Sequence, residues 1–114
     1  MDNRRLLKLV VYVFLFSSAV GNALTIKEAE EKANEVCAAC HGKDGVNGVL
    51  PSYPIIAGQY SDYLNQALMD YKSGARKNAV MGGIAATLTK EEMAGLARYF
   101  ASLPTPLNDK NRKD

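Results

Sequence analysis

Both cysteines and the single histidine of the 114-residue chain fall within five consecutive positions, Cys37-Ala38-Ala39-Cys40-His41. Thiols at i and i+3 lie about one helical turn apart, the spacing of the two vinyl groups along one edge of a haem, and the imidazole directly after the second thiol is carried under the ring toward the iron. Other chemistries fit this run less well. A thioredoxin-like redox pair belongs after a strand in a βαβ setting, whereas this run follows a helical pattern. A zinc site needs about four ligands and finds three here with no second cluster. A disulfide across so small a loop would restrain the unfolded chain little. The run therefore predicts one covalent haem c, attached through Cys37 and Cys40, with His41 as an axial ligand of the iron.

With one histidine in the chain, a second imidazole ligand from within it is excluded. The candidates that remain are methionine, another side chain or water. Met69 and Met93 sit inside helical patterns and read as core filler. Met81 lies in Asn78-Ala79-Val80-Met81-Gly82-Gly83, read as an irregular segment between helices that can fold its thioether over the far face of the ring. Met81 is thus the expected second metal ligand.

The elements that must position these residues are helical. Thr25-Ile26-Lys27-Glu28 has the form of a capping box, and Ile26, Ala29, Ala33, Val36 and Cys40 recur as an apolar stripe that leads into the cysteines. From Gly42 to Gly58, glycines and prolines break the pattern; a loop that long in a small domain is expected to wrap around something. Ser61 offers an N-cap to a second helix, with Tyr63, Leu64, Ala67, Leu68 and Tyr71 on one face and Gly74 as its stop. A third helix opens with the box Thr89-Lys90-Glu91-Glu92, presents Met93, Leu96, Ala97, Phe100 and Leu103, and is ended by Pro104. No useful strand pattern or repeat appears, so the predicted fold class is all-α.

Residues 1–23 read as a cleaved export signal: Arg4, Arg5 and Lys8 precede an apolar run too short to span a bilayer comfortably, and Gly21 and Ala23 suit a cleavage after Ala23. An uncleaved membrane anchor is the alternative, and both place the rest outside the cytoplasm, in the periplasm. That segment holds three of the 14 Lys and Arg and one of the 12 Asp and Glu, leaving 11 of each. The basic balance is therefore mostly the signal's and does not point to nucleic acid. About 90 residues form a marginal core unaided, and a haem adds a large apolar body to bury. Residues 105–114 are polar and expected to be disordered.

Taken together, the haem motif, Pro54-Ile55-Ile56-Ala57-Gly58-Gln59 followed by Tyr63-Leu64, Tyr71-Lys72-Ser73-Gly74-Ala75-Arg76, Met81 and the closing Ala97-Arg98-Tyr99-Phe100 resemble a short bacterial class I cytochrome c. The Tyr-Lys-Ser-Gly and Met-Gly-x-Ile-Ala stretches are also similar to the cytochrome subunit of flavocytochrome c sulfide dehydrogenase. The resemblance implies a cytochrome c domain over residues 24–104, with the first and last helices packed across each other. It implies His41 and Met81 as the axial ligands, the Pro51 carbonyl as acceptor of the His41 proton, and Gln59 and Arg76 near the haem propionates. The activity it implies is one-electron transfer to and from redox partner proteins by a carrier that is not itself an enzyme. The alternatives are a cytochrome subunit of an oxidoreductase, served by a flavoprotein partner, and an enzyme or gas sensor with an open iron site.

Overall fold

A computed structural model of the chain describes residues 21–107; the basic and apolar part of the expected export signal and the last seven residues of the expected tail lie outside the described residues. Five helices follow in order: α1 (Ile26–Val36), α2 (Ala38–His41), α3 (Ser61–Ser73), α4 (Ala79–Ala86) and α5 (Lys90–Ala101). No strand occurs among the described residues, in agreement with the all-α reading.

The longer helices begin where their local chemistry says they should. Both expected capping boxes are formed. Thr25 Oγ1 accepts the Glu28 amide at 3.2 Å while the Glu28 carboxylate accepts the Thr25 amide at 2.8 Å, and Thr89 and Glu92 repeat the exchange at 3.1 and 2.9 Å. The start of α3 differs by one residue: Tyr60 is the extended cap residue, Ser61 is already helical, and no side chain caps the helix. The Asp62 carboxylate takes the Tyr63 amide instead, at 2.8 Å, so a free donor is satisfied from within the first turn, where negative charge also suits the helix dipole. Gly74 ends α3 in the left-handed conformation, as expected.

The larger difference is at 79–86. Read from sequence as irregular because Gly82 and Gly83 disfavour a helix, this stretch forms α4. Asn78 Oδ1 accepts the Met81 amide at 3.0 Å, which supplies the cap, and α4 packs along α3. A Cβ built on Gly82 would stand 3.7 Å from the Tyr71 carbonyl, so the bare glycine face is the one turned to its neighbour. Packing overrides propensity.

α5 is the spine of the core. It buries Met93, Leu96, Ala97, Tyr99 and Phe100 and packs against both α1 and α3. Where α1 crosses it, small residues meet: Ala29 is fully buried, and a Cβ on Gly95 would lie 3.6 Å from the Ala29 Cβ and 2.9 Å from that of Leu24. The same crossing is pinned by Lys32 to Glu92 at 3.3 Å and by the Arg98 guanidinium, which donates to the Leu24 carbonyl at 2.9 Å.

The long loop is tied down at several points. The Val49 amide donates to the Cys40 carbonyl at 3.1 Å, those of Ile56 and Ala57 to Gly45 at 2.9 and 3.1 Å, and that of Gly58 to Phe100 at 2.8 Å. Gly58 has a φ of 69°, and a Cβ there would collide with the Thr105 side chain. The tail segment expected to be disordered from residue 105 therefore begins with a residue packed against the loop.

The Glu28 and Glu92 carboxyls titrate below their ordinary value, chiefly because the amides of Thr25 and Thr89 hydrogen-bond to the ionised form. A depressed folded-state pKa stabilises the fold above the unfolded value and is lost as pH falls through the folded one. The thermal midpoint should therefore drop on acidification below the ordinary glutamate value of 4.5. Glu92→Gln should flatten that drop while lowering stability near neutrality by no more than about 1 kcal/mol. Thermal unfolding of the two proteins across this pH range checks it.

Candidate functional site

α1 carries the haem motif to the core. Cys37 is the residue between α1 and α2, and the single turn α2 continues the helical course, with the Cys40 and His41 amides donating to the Cys37 carbonyl at 3.2 and 3.0 Å. This turn sets the two thiols on one side and swings His41 inward. His41 is 8% exposed and is the one buried polar residue among those described. Its Nδ1 stands 3.2 Å from the Pro54 carbonyl. With that nitrogen donating its proton, Nε2 keeps the free lone pair that a metal requires.

The acceptor is a correction to the expectation of Pro51. The Tyr53 amide bonds back to the Leu50 carbonyl at 3.0 Å, closing a turn around Pro51. Both proline side chains are exposed, but Pro54 borders the cavity and its carbonyl reaches His41, whereas Pro51 does not line the cavity. Both prolines stand in one Gly- and Pro-rich loop, and which carbonyl returns to the ring depends on a turn that residue types alone do not mark.

Beside the motif lies a cavity of about 490 Å³. Cys37, Cys40 and His41 form one part of its wall, Pro54 to Ile56 another, and Leu96, Ala97 and Phe100 its floor on α5. α3 supplies Leu64, Ala67, Leu68 and Tyr71, and α4 supplies Val80, Met81 and Ile84. Gln59 and Arg76 also line it. Arg76 reaches the Tyr63 hydroxyl at 3.4 Å and lies 4.9 Å from the centre of the Tyr71 ring, so its guanidinium is steered by two cavity tyrosines that sequence reasoning placed only in the apolar face of a helix.

Of the three methionines considered, Met81 lines the cavity. Met93 is 4% exposed within the core cluster, and Met69 is 36% exposed on α3 and is not part of the cavity wall. The structure thus brings six of the seven expected site residues, Cys37, Cys40, His41, Met81, Gln59 and Arg76, to one cavity and leaves out Pro51.

The chemistry of the wall fits a haem. α3 runs 13 residues without one buried side chain: although it packs against α4 and α5, its apolar residues Leu64, Ala67, Leu68 and Tyr71 also border the cavity. Such a face requires a large apolar body over it. A bare metal ion fits poorly, since no group of three or more His, Cys, Asp or Glu among the described residues could hold one. Both thiols are free, and burial pushes the Cys37 thiol up to about 11, against the pull of Lys32. A reactive redox pair needs the opposite shift.

A sequence model of the family described as Cytochrome c matches residues 26–104, from the first residue of α1 to just past α5. The chain belongs to the cytochrome c family. Membership entails a covalent haem c, for which Cys37, Cys40 and His41 are the matching motif. This cytochrome is 45% identical over 75 residues to cytochrome c4 of Thiocapsa roseopersicina, covering 66% of the present chain and 38% of that protein. It is 40% identical over 83 residues to the cytochrome subunit of sulfide dehydrogenase of Chlorobaculum tepidum, covering 68% of the chain and 73% of the subunit. The solved cytochrome c4 of Acidithiobacillus ferrooxidans superposes with a TM-score of 0.63 at 30% identity, over 90% of this chain and 66% of that one. The chain therefore spans well under half of the Thiocapsa c4 and most of the sulfide dehydrogenase subunit, and it matches the class I fold.

Since the α3 face depends on the cofactor for its burial, Cys37→Ala or Cys40→Ala should sharply reduce holoprotein yield and lower the thermal midpoint of what remains. Covalent-haem staining of denatured protein and thermal unfolding measure the two effects. A normally stable variant lacking haem would contradict the dependence.

Proposed function

We propose that this cytochrome is a periplasmic one-electron carrier whose haem is held by Cys37 and Cys40, with His41 and Met81 as the axial ligands of its iron. The observation that carries the reading is that Met81, alone of the three methionines considered, lines the same cavity as the Cys-x-x-Cys-His turn. Haem bound there supplies a reversible one-electron couple, and a thioether ligand raises its potential.

The surrounding residues do the rest. The Pro54 carbonyl, accepting from Nδ1, favours the His41 tautomer whose Nε2 lone pair is free, and His41 lines the cavity. Met81, at the cavity wall, would hold the iron opposite His41, and a thioether bound there would close the site that an open-site enzyme or sensor requires. Leu64, Leu68, Ile84 and Phe100 keep the cavity apolar and exclude water. Gln59 and Arg76 are the polar groups at its wall suited to haem carboxylates, with Arg76 offering a fixed fork of donors. Export rests on the pattern of residues 1–23. No helix among the described residues is long and apolar enough to cross a membrane.

A second reading, a subunit of an oxidoreductase, is favoured by the extent of the match to the sulfide dehydrogenase cytochrome, 73% of that subunit. Size-exclusion chromatography of the native periplasmic fraction separates the two. A carrier elutes at the mass of the chain alone, whereas a subunit elutes with a flavoprotein or another redox partner.

Met81→Ala should abolish the weak far-red band that a thioether gives to ferric haem, lower the potential and open the iron to cyanide or carbon monoxide. Met69→Leu and Met93→Leu should leave all three nearly unchanged, at a stability cost under about 1.5 kcal/mol. If the band survives Met81→Ala and disappears in either leucine variant, the assignment of Met81 is overturned.

A further inference from the structure

The segment that presents Met81 is weakly held by its own sequence. α4 contains two adjacent glycines, leaves Val80 57% exposed and has its main packing partner in α3. Its first turn is fastened by the Asn78 side chain, which accepts the Met81 amide at 3.0 Å. Its far end runs into Thr87 and Leu88, whose amides donate to the Ile84 and Ala85 carbonyls at 3.1 Å each. Leu88 is 1% exposed and lines the cavity. There a second fastening is found: the Lys72 ammonium, from the last turn of α3, donates to the Leu88 carbonyl. Lys72 is otherwise an exposed residue, one turn beyond Leu68.

This bond joins positions 16 apart in sequence and closes the whole stretch from the end of α3 to the start of α5 into a ring with Met81 inside it. We propose that Lys72 is a positioning residue for the Met81 ligand: its ammonium clamps the C-terminal end of α4 to α3 and so governs how readily Met81 leaves the iron. The inference rests on the reading of Met81 as an axial ligand. A cationic donor to a carbonyl is among the stronger hydrogen bonds, and its loss frees one end of α4 without touching the haem wall.

The test is cyanide binding to the ferric holoprotein at saturating cyanide, where dissociation of the thioether limits the rate and one lone-pair donor replaces another on the iron without electron transfer. Lys72→Met, which keeps the apolar stem and removes the donor, should bind cyanide roughly tenfold faster and weaken the far-red band. Lys77→Met, which removes the same charge from the adjoining loop, should leave both unchanged, and Lys72→Arg, which keeps a cationic donor, should restore both. Equal rates for Lys72→Met, Lys77→Met and the parent overturn the proposal. So does a fall in thermal midpoint for Lys72→Met with no change in cyanide rate, which would mark a merely structural role. Should Lys72→Met not accumulate, Lys72→Gln is held to the same outcomes. Met81→Ala separates the two claims: if it leaves the far-red band in place, the ligand reading fails; if it removes the band while Lys72→Met does nothing, only the clamp fails.

Discussion

The structure depends on one requirement, the burial of the apolar face of α3. A 13-residue helix that packs against α4 and α5 without burying any side chain fully leaves part of its apolar face to be covered by something else. Leu64, Leu68 and Tyr71 face a cavity of about 490 Å³, and the apolar residues of α4 and α5 face it from other sides. Haem is the body these faces share. The cytochrome is thus a fold whose cofactor replaces a large part of the core that a chain of this size cannot build from side chains. The covalent haem c of the family, for which Cys37 and Cys40 have the motif spacing, makes that replacement permanent.

What holds the attachment site still is the crossing of α1 and α5. Ala29 and Gly95 have little or no side chain, so the helix backbones approach closely, and the Lys32 to Glu92 pair and the Arg98 to Leu24 bond restrain the crossing. α2 continues from α1, so the orientation of His41 is set by this contact on one side and by the Pro54 carbonyl on the other. A buried imidazole with one nitrogen committed to a carbonyl has its tautomer decided before any metal is bound. The half of the site that carries the Cys-x-x-Cys-His turn is therefore held from two sides. The half that carries Met81 is a short helix with two adjacent glycines, packed mainly on α3.

The haem motif, its cofactor and the all-α class were legible in sequence because each rests on short-range chemistry. Cys37, Cys40 and His41 are neighbours along the chain, so their joint geometry needs only one helical turn. The capping boxes at Thr25 and Thr89 are equally local, and both formed as read. That Met81 lines the cavity while Met69 and Met93 do not agrees with their separation in sequence, although the segment that carries Met81 is a helix and not the irregular stretch expected.

Tertiary structure decided whatever depends on two distant segments meeting. The helix at 79–86 exists because Asn78 caps it and α3 receives it, although its glycines argue against a helix when read alone. The carbonyl that meets His41 is Pro54's and not Pro51's because a turn at Leu50 to Tyr53 holds Pro51 away from the ring, and residue type carries no record of that turn. Arg76 finds Tyr63 and Tyr71, and Lys72 finds Leu88, only once α3, α4 and α5 are packed. Spacing along a chain determines contacts within about one helical turn; contacts between elements follow from which faces are buried together, and here a single apolar cavity determines that.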